Sequence, residues 1–273
     1  MKALRFAVIG NPVAHSKSPR MQAAAFRALG LPHTYEAVRV ADADLPGVVS
    51  ALRAGDFAGL NVTVPHKERV LALVDAVDEG ARLAGAANTI VRGDDGRLTA
   101  HNTDAPALAE EIRDLLGIPV GRVEGDLRAL VLGSGGAARA AKTALVDLLG
   151  VRDVVLRART PRDAATQPWL PSPSSEGTTR LVVQATSAGM TGADPGETVA
   201  DVVAWDALPD DAAALDVVYA PPETAFLRRA RARGLRSANG LGMLARQGAL
   251  ALKLWLGRDA PLDAMRAALE TAP

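Results

Sequence analysis

Leu127–Leu132, then Gly133-Ser134-Gly135-Gly136-Ala137-Ala138, then an apolar-periodic run to about Leu149, is the stretch that decides the fold. It reads as a buried strand, a tight glycine turn and a helix. The first glycine permits the turn, and the second lets backbone approach a pyrophosphate. Ala138, in the last small position, keeps the helix close to the sheet, and the helix N-terminus offers N–H groups to an anion. In that order the three pieces form a dinucleotide fingerprint. The next strand, from Val151, ends Leu156-Arg157-Ala158-Arg159-Thr160, where a chain selecting NAD would carry Asp or Glu for the ribose hydroxyls. Cations and a hydroxyl at that place suit a 2′-phosphate, so NADP is expected over NAD.

Downstream, Pro161 to Thr179 holds four prolines and many Ser and Thr and reads as loop. Strands return at Leu181–Gln184 and Leu215–Val218, and Leu241–Leu256 is a long apolar helical stretch. Upstream, Phe6–Ile9, Tyr35–Val40 and Leu60–Val64 read as strands separated by two helices. In the first helix Ser18 caps, Pro19 starts and Gly30 ends; the second runs from about Leu45 to Arg53. This β-α-β-α-β alternation predicts a mainly parallel sheet. Ala87–Val91 and Leu98–Ala100 around Asp94-Asp95-Gly96 form a hairpin, and a helix with Leu108, Ile112, Leu115 and Leu116 on one stripe begins near Asp104. The fold class is α/β: a mainly parallel substrate unit followed by a Rossmann-type unit.

Composition narrows the partners. With 31 Lys and Arg against 31 Asp and Glu there is no net charge, hence no electrostatic footprint for nucleic acid or an anionic membrane. A small-molecule partner is favoured. The chain has no cysteine, which fits a cytoplasmic protein and excludes disulfides and thiolate chemistry. Its four histidines show no paired ligand spacing, so no metal is expected. The N-terminus does not read as a signal peptide, and no apolar stretch is long enough to span a bilayer.

Polar groups gather at strand ends in the first half. Asn61-Val62-Thr63-Val64-Pro65-His66-Lys67 reads as a strand with apolar Val62 and Val64 on one face and Asn61 and Thr63 on the other. Pro65 suits the first turn of a helix and sets Lys67 beyond the strand, where an amine either meets an oxygenated substrate or lies solvated. Ser16 and Ser18 flank Lys17 beside a helix start, suited to a carboxylate, although Ser18 serves equally as a helix cap. Asn88 ends the run from Ala84, and His101-Asn102-Thr103-Asp104 closes the hairpin, with Asp104 either a site carboxylate or a cap.

Together these blocks resemble the shikimate dehydrogenase family from Gly10 to about Gly257. The carriers in the first half are Gly10–Pro19, Asn61–Lys67, Ala84–Thr89 and Asn102–Asp104. The second half adds the Gly133 loop, Ala158–Thr160, Ala185–Met190, Tyr219–Thr224, and Asn239–Leu244 with Gln247. The resemblance implies reversible NADPH-dependent reduction of 3-dehydroshikimate to shikimate in aromatic amino-acid biosynthesis, by a monomer or homodimer. It implies that Ser16 and Ser18 hold the substrate carboxylate, and that Thr63, Asn88, Asp104, Tyr219 and Gln247 line the ring. Lys67 becomes the general acid/base, paired with Asp104. Gly133, Ser134, Gly135, Gly136 and Ala137 take the pyrophosphate, Arg159, Thr160 and Arg162 the adenosine phosphate, and Val217 and Gly240 lie near the nicotinamide. The implied substrate domain is discontinuous, 1–104 with 240–273, around a cofactor domain of 105–239, with a cleft between them.

Four departures from the family pattern stand out. Ala158 replaces the usual Asn before Arg159, with Arg162 one residue closer than is common. The chain between Arg159 and Gln184 is short, as if a helix or strand were missing. Gln184 replaces an Asn, and Ala105-Pro106-Ala107 replaces glycines after Asp104, stiffening the hinge. Quinate-active relatives tend to prefer NAD and to carry an acid where Arg159 stands. A relative acting on an amino-substituted shikimate, or a sensor without turnover, is the other reading; a sensor would have lost Lys67 or Asp104.

Overall fold

Strand β1 (Arg5–Gly10) lies inside a sheet whose order is β2-β1-β3-β5-β6-β4, with β2 (Thr34–Arg39), β3 (Gly59–Val62), β4 (Ala76–Val77), β5 (Thr89–Arg92) and β6 (Leu98–His101). β1 pairs in parallel with β2 and β3, while β5 runs antiparallel to β3 and β6. The computed structural model describes residues 2–121, 123, 126–161, 165–170 and 176–270. The chain divides into two units, Met1–Ala107 with Leu244–Pro273, and Leu108–Met243.

In the first unit Ala7, Ile9, Leu60, Val62 and Ile90 of the sheet pack with Leu45, Val49 and Leu52 of helix α2 (Leu45–Ala54). Burying the leucine, isoleucine and valine side chains contributes about 1.5–3 kcal/mol each before conformational entropy is charged against it. Gly55, at φ 95, ends α2 in the left-handed region. Helix α1 (Ser18–Ala28) starts at Ser18 itself, with Lys17 at the N-cap and no side-chain cap bond, so Ser18 is not the cap. The Ser16 hydroxyl takes the Ser18 N–H at 3.2 Å and draws the chain into helical geometry a residue earlier. Helix α3 (Glu79–Ala84), capped by Asp78, is too short to leave an apolar period in the sequence.

Strand β3 ends at Val62, two residues earlier than its apolar alternation suggests. It is flanked by β1 and β5, and Gly59–Val62 is buried throughout, so Asn61 is interior rather than on a polar face. Val64 is 60% exposed. Pro65 stands in a turn after a cis peptide bond rather than in a helix, and the first helical turn, of 3-10 type, begins only at Arg69.

Helix α4 (Asp104–Leu116) follows β6. The second unit's sheet is ordered β12-β11-β10-β7-β8-β9. It comprises β7 (Arg128–Leu132), β8 (Asp153–Ala158), β9 (Thr166–Pro168), β10 (Thr179–Gln184), β11 (Ala213–Asp216) and β12 (Arg236–Ala238). Every pairing is parallel. Counted from β7, this is the doubly wound Rossmann order, which reverses between β7 and β10. Helix α5 (Gly136–Thr143) follows the glycine loop and passes into a π turn, Ala144–Leu148, where a single helix to Leu149 was expected. Thr166–Pro168 is an edge strand rather than loop, so the short connection keeps its strand, and Pro168 is tolerated because the edge needs no second partner.

Leu130, Leu132 and Val182 pack with Val199, Trp205 and Phe226 under helices α6 (Glu197–Asp201) and α7 (Ala225–Ala232). Helix α8 (Leu241–Leu256) carries Trp255 into the first unit, where the indole donates to Ile90 O at 3.0 Å and a Cβ on Gly59 would come within 2.3 Å of it. Helix α9 (Leu262–Glu270) ends against α1, its Leu269 carbonyl accepting from Lys17 and Arg20. Such a pairing suits the negative end of the helix dipole. Among the described residues no helix is long and apolar enough to cross a membrane.

Candidate active site

The turn after β3 is pinned on three sides. Thr63 N–H donates to Ile9 O, Asn11 N–H to Val64 O, and Ala87 N–H to Lys67 O, all at 2.8–2.9 Å. Gly10 is needed for this approach, because a Cβ there would fall 2.4 Å from Thr63 Cγ2. Lys67 is thereby directed at Asp104, with Nζ 2.6 Å from Oδ2 and the two side chains 17% and 5% exposed. Asp104 is not the cap of α4. Asn102 Oδ1 takes the Ala105 N–H at 3.0 Å, leaving the Asp104 carboxylate to the lysine.

Asn88 completes the arrangement. Its Nδ2 donates to Asp104 Oδ1 at 2.8 Å and to Thr103 Oγ1 at 2.9 Å, with Gln247 Oε1 at 3.4 Å, while its Oδ1 accepts from Thr103 N–H at 2.7 Å. Beneath it, Asn61 Nδ2 donates to Asn88 O and Thr89 Oγ1, and Tyr35 O–H donates to Asn61 Oδ1 at 2.7 Å. A buried network whose members are all satisfied is rigid. The structure therefore joins Lys67, Asp104, Asn88 and Gln247 directly. Thr63 lies at the end of β3 and is partly exposed; Ser16 and Ser18 lie at the start of α1, partly and fully buried. Asn61, Thr89, Asn102 and Thr103 are not among the site residues expected from sequence, although all four stand inside the motifs Asn61–Lys67, Ala84–Thr89 and Asn102–Asp104.

The second unit holds the glycine loop. Gly133 has φ 129, and a Cβ on it would sit 2.8 Å from Ala185 O, in the loop after β10. The loop thus lies at the switch point of the sheet, where open α/β sheets bind ligands. Gly135 is the N-cap of α5 without a side-chain cap bond. Ser134 Oγ donates to Thr160 O at 3.5 Å. At the end of β8, Arg159 and Thr160 are exposed, and Arg159 has no ion pair among the described residues. Arg157, the other cation of that strand end, is buried and paired with Glu176. Its carbonyl accepts from Gly133 N–H at 2.7 Å, so it acts on the loop through its backbone. Arg162 lies outside the described residues. Val217 and Gly240 touch: a Cβ on Gly240 would meet Val217 O at 2.1 Å. Tyr219 stands in the turn after β11, partly exposed. These residues fit NADP, with a hydrogen-only cradle at Gly133, an uncapped helix N-terminus and a free guanidinium at the strand end.

A doubly wound nucleotide unit joined to an α/β unit in which a partly buried lysine meets a buried carboxylate defines a nucleotide-dependent oxidoreductase. Residues 8–90 match the shikimate dehydrogenase substrate binding domain, and residues 240–270 the shikimate 5′-dehydrogenase C-terminal domain. The NADP(+) shikimate dehydrogenase of Methylobacterium radiotolerans is 41% identical, over 92% of this chain and 90% of its own. That of Thermus thermophilus is 44% identical, over 93% of each chain. A crystal structure of the Thermus thermophilus enzyme in complex with NADP(H) and shikimate matches with a TM-score of 0.83 at 41% identity, covering 97% of this chain and 98% of that one. The chain belongs to the shikimate dehydrogenase family.

Proposed function

We propose that this protein catalyses the reversible NADPH-dependent reduction of 3-dehydroshikimate to shikimate. The observation that carries the reading is the 2.6 Å Lys67–Asp104 pair, held by Asn88 within reach of Gln247. When bound, NADPH supplies the hydride that adds to the ketone carbon. Every other step belongs to the chain. An oxygen gaining negative charge needs a nearby cation and a proton, and the Lys67 ammonium provides both. Asp104 keeps that ammonium aimed and balances its charge; after transfer the neutral amine is reprotonated from solvent.

Ser16 and Ser18 take the substrate carboxylate, while Thr63, Asn88, Gln247 and Tyr219 read its hydroxyls. Gly133–Ala137 hold the pyrophosphate, Arg159, Thr160 and Arg162 the 2′-phosphate, and Val217 and Gly240 border the nicotinamide. We assign substrate handling to 1–104 with 240–273 and the nucleotide to 105–239. We place the protein in the cytoplasm, with which the lack of cysteine is consistent, and assign it as a monomer or homodimer.

The test is spectrophotometric, with shikimate or quinate, each with NADP+ or NAD+. Rapid reduction is expected for shikimate with NADP+ alone. Silence with all four pairs, or faster turnover of quinate with NAD+, defeats the assignment.

A further inference from the structure

Asp216, the last residue of β11, is wholly buried and has no cationic partner among the described residues. A lone buried carboxyl is costly unless its oxygens are satisfied. Here they are. Oδ1 accepts from Val218 N–H at 2.9 Å and from Gln184 Nε2 at 3.2 Å, and Oδ2 accepts from Thr224 Oγ1 at 2.5 Å. Gln184 extends the hub: its Nε2 also donates to Ala188 O at 2.9 Å, and its Oε1 accepts from Thr186 N–H at 2.5 Å. Thr224 in turn caps α7 by accepting from Leu227 N–H.

Two loops at the C-terminal ends of adjacent strands are thus tied by side chains beneath them. One is 184–188, against which Gly133 packs; the other is 216–224, which contains Val217 and Tyr219. The Gln184 amide spans its own loop and still reaches Asp216.

We propose that Asp216, acting through Gln184 and Thr224, is the positioning group of the nicotinamide side of the site, holding Val217 and Tyr219 in register with the glycine loop. This rests on the reading of Val217 as the nicotinamide neighbour. Asp216 is wholly buried and acts through the Val218 N–H and the two side chains. Burial pushes its carboxyl up to about 7, against the hydrogen bonds of Thr224 and Val218 that pull it down. The hub therefore operates close to the point where its charge is lost.

The test compares Asp216→Ala, Asp216→Asn, Thr224→Val and Thr224→Ser with wild type. Readouts are NADPH Kd from nucleotide fluorescence, kcat and KM, and Tm. Small misplacements at reacting atoms cost up to about a hundred-fold. Accordingly Asp216→Ala and Thr224→Val should weaken NADPH binding and lower kcat by about ten-fold each. Asp216→Asn and Thr224→Ser, which restore hydrogen-bonding atoms, should recover most of both. A purely structural role predicts a lower Tm with Kd and kcat unchanged well below it, as for the core variant Val199→Ala. If Asp216→Ala does not fold, Thr224→Val against Thr224→Ser decides. Kd and kcat within about two-fold of wild type in Thr224→Val would overturn the proposal. Because Kd requires no substrate, a wild type that binds NADPH but leaves 3-dehydroshikimate untouched defeats the substrate assignment alone.

Discussion

Asn88 donates at 2.8 Å to Oδ1 of Asp104, the oxygen that Lys67 leaves free. Both carboxylate oxygens are thereby engaged, one by an ammonium and one by an amide that is itself fixed by Thr103. Replacing Asn88 with Ala strands the Thr103 N–H and one Asp104 oxygen in a buried site. Each orphaned group costs about 1–3 kcal/mol. Urea unfolding of Asn88→Ala should show a loss of about 2–4 kcal/mol, with a fall in kcat measured well below the transition.

Lys67→Ala removes the proposed proton donor and leaves the residues of the nucleotide unit unchanged. General acid–base groups contribute about 10²–10⁴-fold, so kcat should drop by at least a hundred-fold. NADPH Kd should stay at the wild-type value. Lys67→Arg should not rescue turnover, because a guanidinium keeps its proton. Near-normal kcat in Lys67→Ala would refute the acid/base role.

Arg159 is exposed at the end of β8 and has no ion pair among the described residues, and we assign it to the 2′-phosphate. Arg159→Ala should raise KM for NADP+ by about ten-fold or more and leave KM for NAD+ nearly unchanged. Steady-state titration of both nucleotides checks this. Equal effects on the two would place the phosphate elsewhere.

Asp216 makes stability depend on pH. Its folded-state pKa is about 7 against a reference of 3.8. Below about pH 4 the carboxyl is neutral in both states and its full contribution is present. Between about 4 and 7 the unfolded chain ionises first and binds fewer protons, so stability falls as pH rises; above 7 the term is flat. The fall is on the order of 4 kcal/mol at most. Asp216→Asn lacks the term, so the difference in unfolding free energy between the two proteins should shift in its favour from pH 4 to 7. A constant difference would show that Asp216 is ionised throughout.

How far such features can be read from sequence depends on whether their cause is local. Leu241–Leu256 was bounded correctly because apolar periodicity, Gly240 and Gly257 act within the segment. The glycine loop was legible for the same reason, since a tight turn before a helix leaves its own residue types. Asn61 was misread because its burial comes from β1 and β5 on either side, which alternation within the segment cannot report. Thr166–Pro168 becomes a strand only because β8 offers an edge. In the site, Lys67, Asp104 and Asn88 are legible through the family motifs, whereas the bonds that hold them in place are not. The Gln184–Asp216 link joins segments 32 residues apart and leaves no pattern along the chain. Asn102 caps a residue only three positions on, but Asp104 beside it is an equally good cap by residue type, so the sequence does not say which of the two bonds the Ala105 N–H.

Gly240 offers a test of space rather than backbone freedom. A Cβ there would lie 2.1 Å from Val217 O and 2.7 Å from its carbonyl carbon, and neither atom can swing aside as a side chain would. Gly240→Ala must therefore push Val217 off its place at the end of β11. Gly47, exposed within α2, is the counter-case: a Cβ on it meets nothing within 4 Å. Gly47→Ala should stabilise the protein by about 0.5–1 kcal/mol, as alanine does in a helix interior, and leave catalysis alone. Gly240→Ala should instead cost about 1–3 kcal/mol and weaken NADPH binding by about ten-fold. Thermal unfolding with and without NADPH separates the two effects, since a weaker ligand raises Tm less at the same concentration. If Gly240→Ala lowers Tm yet keeps the full NADPH-induced rise, Val217 does not border the nucleotide.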